Sequence, residues 1–347
     1  MKYCFLYTEL AKYFISCIEQ LSEFAEVHVI NYPVNKEAPF QFKNNNSKIT
    51  FYNRFDYSYA ELDELIFNIN PDLIFCSGWI DKEYLKICKK FKSKVPTVLC
   101  MDTKWKGNFR QIIASFFSKS LIQNKFSHAW VPGNQQKLFA EKLGIKTNNI
   151  QLGYYCADIN LFNRYFENHF SDKKKNFPKR FLYVGRYYDF KGVKTLWDAF
   201  IQLQDESPNP WELWCLGNGD IEPLDHPKIK HLGFMQPEDL DKIISETGIF
   251  ILPSLIEPWG VVVQEYAAAG YPLILSNQIG SSEAFLIENE NGFSFIAGDK
   301  NDLIEKMQLF INLPNESLTL MSEKSHELGN KITMNEWCKT ALNFLNK

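Results

Sequence analysis

The chain has no run of about 18 apolar residues, so nothing in it reads as a membrane-spanning helix. It also lacks a leader pattern: Met1-Lys-Tyr-Cys-Phe-Leu-Tyr7 runs directly into a strand-like stretch, with no cleavage signature of a signal peptide. Eight cysteines are present without a C-x-x-C pair and without a histidine at metal-ligand spacing, which argues against a zinc or redox motif. Cys4, Cys76, Cys100 and Cys215 sit in apolar runs, where a thiol behaves as a small hydrophobe. A reduced, cytoplasmic setting is the expectation. A large excess of one charge is missing too. With 38 Lys and Arg against 41 Asp and Glu, a net charge of −3 gives no electrostatic ground for a nucleic-acid partner. No internal repeat is visible.

What the sequence does contain is alternation. Its 347 residues suffice for two domains with separate cores. Apolar runs at Tyr3–Tyr7, Val27–Ile30, Asp72–Cys76, Thr97–Met101 and Ala129–Val131 read as strands, with helical spacing between them, as in Lys82–Phe91. This is the βαβα order of an α/β protein with doubly wound parallel sheets. A polar, charge-dense stretch then interrupts the pattern. It divides the chain into a first domain at 1–165, a linker at 166–179 and a second domain at 180–330, followed by a helical segment at 331–347.

One stretch organises the second half. Glu257-Pro-Trp-Gly-Val-Val-Val-Gln-Glu265-Tyr-Ala-Ala-Ala-Gly270 lies between two buried-strand patterns, Gly248–Ser254 and Tyr271–Ser276. A short helix opening at Gly260 puts Glu257 at a strand's carboxyl edge, where open α/β sheets bind ligands. The first-turn N–H groups at Val261, with the helix dipole, suit an anion. Two carboxylates beside such a site make sense if they face the neutral hydroxyls of the same ligand.

E-P-W-G-x4-E-x4-G followed by P-L-I-L-S resembles the donor-site signature of the retaining glycosyltransferases of family 4, which have the GT-B fold. The likeness extends to Gly185-Arg186-x4-Lys191-Gly192, similar to the family's G-R-x4-K-G motif, and to Gly217-Asn-Gly219, similar to its G-x-G turn. Asn277-Gln-Ile-Gly-Ser-Ser-Glu283 matches a loop that ends in a Glu near the sugar. The resemblance covers about residues 150–300 through motifs and the rest only through architecture.

It implies two Rossmann-like domains facing each other across a cleft, with the donor on the second and the acceptor on the first. The implied reaction moves a sugar from a nucleotide diphosphate sugar, UDP- or GDP-linked, to a hydroxyl of a glycan or lipid-linked acceptor. Bacterial surface polysaccharide is the family-level setting. Arg186 and Lys191 would hold the diphosphate, Glu257 and the turn at Gly260 the sugar, and Glu265 the ribose, with Gly185, Gly217, Val261 and Glu283 lining the donor site. Two fixed cations beside a leaving diphosphate favour the transition state. No metal or other cofactor is then required, and Asp239 and Asp241 read as the acidic first turn of a helix instead of a D-x-D motif. Relatives send their last segment back onto the first domain, and the resemblance allows the same for 331–347.

The first half carries fewer motifs. Asp102, at a strand end, suits a base that takes a proton from a substrate hydroxyl, or equally a turn cap. Where the family carries a Gly-Gly loop this chain has Thr8-Glu-Leu-Ala-Lys12, and where the family places a His it has Cys76-Ser-Gly-Trp79. These departures keep open a subunit that binds nucleotide sugar without catalysis, and the scaffold alone also admits a nucleotide-sugar epimerase. Residues 105–126 put Ile112, Ile113, Phe116, Phe117 and Leu121 on one helical face flanked by Lys104, Lys106, Arg110, Lys119 and Lys125. The preferred reading is a domain helix with that face in the core. The other is peripheral contact with an anionic membrane at the inner face of the cell membrane.

Overall fold

The computed structural model describes residues 1–34, 39–40 and 45–345. The chain divides into two compact units, one built from Met1–Cys156 with Ile332–Lys347, the other from Ala157–Lys331.

The first unit holds a parallel sheet of β1 (Lys2–Tyr7), β2 (Glu26–Asn31), β3 (Ile49–Asn53), β4 (Leu73–Ser77), β5 (Thr97–Cys100), β6 (His128–Trp130) and β7 (Ile150–Gln151), in the order β3-β2-β1-β4-β5-β6-β7. Side chains alternate across it. Tyr3, Phe5 and Tyr7 enter one core layer, and Cys4 and Leu6 the other, as the two-residue period of a strand requires. Burial on both faces explains why these strands read as continuous apolar runs. The chain's last helix, Met334–Asn343, belongs to this unit: Trp337 stands 4.7 Å from the Trp130 ring, and its indole N–H donates to the Tyr154 carbonyl at 2.8 Å.

The second unit repeats the plan with β8 (Arg180–Val184), β9 (Glu212–Leu216), β10 (Ile229–His231), β11 (Ile249–Leu252), β12 (Leu273–Ser276) and β13 (Gly292–Phe295), ordered β10-β9-β8-β11-β12-β13 and parallel throughout. The α/β class with two doubly wound parallel sheets is therefore what the chain adopts. In each sheet the strand order reverses once, between β1 and β4 in the first unit and between β8 and β11 in the second. A crevice opens at the carboxyl ends beside such a reversal, because the flanking connections leave in opposite directions.

Two features differ from the sequence reading. Residues 166–179 were expected to be a linker, yet Ile159–Lys175 is one helix of the second unit. Asp158 caps it by accepting the Leu161 N–H, and Ile159, Leu161, Phe162 and Tyr165 bury its inner side. The lysine run is largely its solvated last turn, which favours cations there. The second difference is the Phe109–Phe116 helix. Core burial was expected for its apolar face, but Ile112, Ile113, Phe116, Phe117 and Leu121 are all exposed.

Candidate functional site

The second unit's reversal point is assembled from four loops. The one after β8 carries Gly185 and Arg186; the one after β9 carries Gly217. They pack backbone against backbone: Gly185 N–H donates to the Leu216 carbonyl at 3.0 Å and Tyr187 N–H to the Asn218 carbonyl at 2.9 Å. A Cβ at Gly217, whose φ is +129°, would lie 2.0 Å from the Gly185 oxygen, so only glycine permits this approach. Arg186 is half-buried, with its guanidinium 5.4 Å from the Tyr188 ring centroid. Among the described residues no carboxylate pairs with it.

The Asp189–Lys191 turn comes next and is pinned to the end of β11. Leu255 and Ile256 N–H both donate to the Phe190 carbonyl, at 2.8 and 3.2 Å. Gly192, at φ +68°, lets the turn press on Pro253, whose oxygen would lie 2.2 Å from a Cβ there. This fixes Lys191 against Glu257: Nζ and Oε2 are 2.5 Å apart, with the side chains only 15% and 11% exposed. An ammonium and a carboxylate so placed lose much of their hydration and depend on each other.

The loop after β12 laces onto the loop holding Glu257. Gly280 N–H donates to the Glu257 carbonyl, Ser281 N–H to Trp259, and the Ser281 hydroxyl to the Gly260 carbonyl at 3.0 Å. Gly260 leads into the Val261–Ala268 helix, whose first turn faces this edge, and Glu283 lies exposed on the adjoining Ser282–Phe285 turn. Further along that helix stands Glu265. Burial, and next the charge of Asp158, push its carboxyl up to about 7.

Arg186, Lys191, Glu257 and Gly260 thus gather with Gly185, Gly217 and Val261 at one sheet edge. Asp102 belongs to the first unit, after β5, where its carboxylate accepts the Tyr155 hydroxyl at 3.0 Å. Burial, reinforced by Asp102, holds that phenol well above its ordinary range. At the first unit's own reversal point the β1 and β4 loops are tied by Thr8 and Ser77: the Thr8 N–H donates to the Ser77 hydroxyl at 2.9 Å, and the two hydroxyls lie 3.0 Å apart. Sequence reasoning had no signal for Asp158 as the neighbour of Glu265, since the two are far apart in the chain.

Comparison with known proteins adds to this geometry. The family model of glycosyl transferases group 1 matches residues 165–331, nearly the span of the second unit. Among curated proteins, the N,N'-diacetylbacillosaminyl-diphospho-undecaprenol alpha-1,3-N-acetylgalactosaminyltransferase of Campylobacter jejuni is 29% identical over 246 residues, covering 65% of this chain and 61% of that protein. The lipopolysaccharide core biosynthesis glycosyltransferase LpsE of Rhizobium meliloti is 26% identical over 42% of each chain. The chain thus spans less than two thirds of the length of either relative. Among solved structures, sucrose-phosphate synthase of Thermosynechococcus elongatus has a TM-score of 0.72 at 16% identity, covering 100% of this chain and 98% of that one. Anabaena HepE in complex with UDP and glucose has a TM-score of 0.70 at 16% identity, covering 99% of both. At such identity the likeness carries the fold. Residues 165–331 of this chain match the family of glycosyl transferases group 1, and the chain has the GT-B fold.

Proposed function

We propose that the protein is a retaining, metal-independent glycosyltransferase that moves a hexose-type sugar from a nucleotide diphosphate sugar to a hydroxyl of a glycan or lipid-linked acceptor in bacterial surface-glycan synthesis. The observation that carries this reading is the 2.5 Å Lys191–Glu257 pair at the strand reversal, with Arg186 on the neighbouring loop. A diphosphate in that crevice meets the Lys191 ammonium, the Arg186 guanidinium and the first-turn N–H groups of the Val261–Ala268 helix. Each favours the negative charge that grows on the leaving group as the glycosidic bond breaks. With Lys191 turned towards the phosphates, the Glu257 carboxylate is released to accept hydrogen bonds from the sugar. Glu265 accepts from the ribose, and Glu283 lies on the loop adjoining the sugar's place.

Among these residues none is placed as an obvious nucleophile for a double displacement. The step we favour is same-face attack, with the leaving phosphate taking the acceptor proton; Asp102 is the alternative base. The complex of HepE with UDP and glucose supports a UDP-sugar as the first donor to try, and the name of the Campylobacter relative supports a polyprenyl-diphosphate-linked acceptor.

A thermal-shift screen with UDP, GDP, ADP and their sugars finds the donor, because a ligand of the folded state raises its melting temperature. Donor turnover is then compared between the wild type and Glu257→Ala, with a loss of about 10²–10³-fold expected in the variant. Equal silence of both across all donors favours a binding subunit, and turnover without acceptor favours an epimerase. An inverted anomer in the product NMR spectrum refutes the same-face step.

A further inference from the structure

The Phe109–Phe116 helix is built inside out. Its inner side is polar or small. Gln111 is buried, its amide oxygen accepting the Lys106 N–H and its amide nitrogen donating to the Lys104 carbonyl, both at 2.6 Å. Ser115 donates to the Gln111 carbonyl at 2.9 Å, and buried Ser118 accepts from the Gln123 amide at 2.9 Å. Asn108 caps the start through the Gln111 N–H. The outer side carries Phe109, Ile112, Ile113, Phe116, Phe117 and, in the following turn, Leu121, with Phe116 83% exposed. A helix bathed in water has the opposite arrangement. A polar inner side with its hydrogen bonds made, and an apolar side turned out, suits a medium that is itself apolar.

Charge identifies the medium. From residue 103 to residue 140 the sequence contains no Asp or Glu, while Lys106, Arg110 and Lys119 flank the apolar residues and are exposed. None of the three pairs with a carboxylate among the described residues. Two copies meeting through this face in a symmetric dimer would set these cations against their own copies. An anionic bilayer surface instead accepts the apolar side chains below its headgroups and the cations among its phosphates.

We propose that the Phe109–Phe116 helix and its following turn dock the first unit onto an anionic lipid surface. The docking itself stands on this face alone; its consequence, that the acceptor is presented from a membrane, rests on the glycosyl-transfer reading. The helix follows β5, so the docked face departs from the same edge of the first unit as Asp102.

The full chain is sedimented with vesicles of phosphatidylcholine and with vesicles containing phosphatidylglycerol. Binding to the anionic vesicles, weakened by salt, is expected. A Phe116→Ser/Phe117→Ser variant and a Lys106→Glu/Arg110→Glu/Lys119→Glu variant should each partition at least about tenfold less. Both should keep the wild-type melting temperature and its shift with nucleotide, since the altered side chains are exposed and lie in the first unit. Absence of wild-type binding to either vesicle, equal binding to both, or a wild-type dimer that the Phe116→Ser/Phe117→Ser variant dissolves would each overturn the proposal. Donor binding is read separately, so a failure here leaves the donor site standing, and a failure there leaves the docking face standing.

Discussion

Two ionisable side chains in the second unit have environments that water would not give them, and both make pH a probe. Glu265 titrates near 7 in the folded chain against an ordinary 4.5, through burial and then Asp158. The folded state therefore holds this proton to higher pH than the unfolded state does. The contribution to stability is fully present below about 4.5, falls as pH rises, and is gone above about 7. Glu265→Gln should flatten this slope and stabilise the protein at pH 8 by on the order of 1–3 kcal/mol, read from urea melts at pH 5 and pH 8. The same change should weaken nucleotide binding at pH 8, measured by calorimetry, if the ionised carboxylate accepts the ribose hydroxyls. Lys173 has the opposite sign. It is buried, its ammonium has no hydrogen-bond partner among the described residues, it lies 4.1 Å from the Tyr271 ring centroid, and burial lowers it to about 7. The unfolded state binds more protons between about 7 and 10.5, so this residue's contribution to stability rises across that window. Lys173→Met should stabilise the chain at pH 7 by about 2–4 kcal/mol, with a gain that shrinks towards pH 10.

Among the elements, the contact between the β8 and β9 loops is the one that a single methyl group tests. Gly217→Ala sets a Cβ 2.0 Å from the Gly185 carbonyl oxygen in a left-handed backbone conformation. The loop must move, and Arg186 with it. A cost of at least about 2 kcal/mol in a denaturant melt is expected, together with loss of the nucleotide-dependent thermal shift. Wild-type nucleotide response in this variant would show that the loop does not position Arg186. The glycines of this motif were legible as letters in the sequence; the carbonyl each must clear was not, because it belongs to a different strand's loop.

For the molecule as a whole, the chain's return to its first unit is the decisive connection. Trp337 enters the aromatic layer of Phe5, Phe75 and Trp130, and its N–H is satisfied by Tyr154. Trp337→Ala should cost about 3–5 kcal/mol and lower the melting temperature, while the thermal shift with nucleotide persists because the donor site is built from residues 185–283. Loss of both together would mean that the donor site depends on that layer.

The sequence by itself determined the class, five of the seven strands of the first sheet, and β11 and β12 of the second, because a strand buried on both faces leaves an unbroken apolar run. The site's local geometry was equally readable where consecutive residues create it, as in Glu257-Pro-Trp-Gly260 ahead of its helix and Lys191-Gly192 ahead of another. Strand β7 is only two residues long, and the edge strand β3 mixes Thr50 and Asn53 with largely half-buried neighbours, so neither leaves an unbroken apolar run; the charge-dense residues 166–175 conceal a helix whose buried side begins earlier, at Ile159. Tertiary structure alone decided what each face meets. A 3.6-residue period marks Ile112, Phe116 and their neighbours as one stripe whether that stripe turns inward or outward, and only Gln111 and Ser118 occupying the inner side settled its direction.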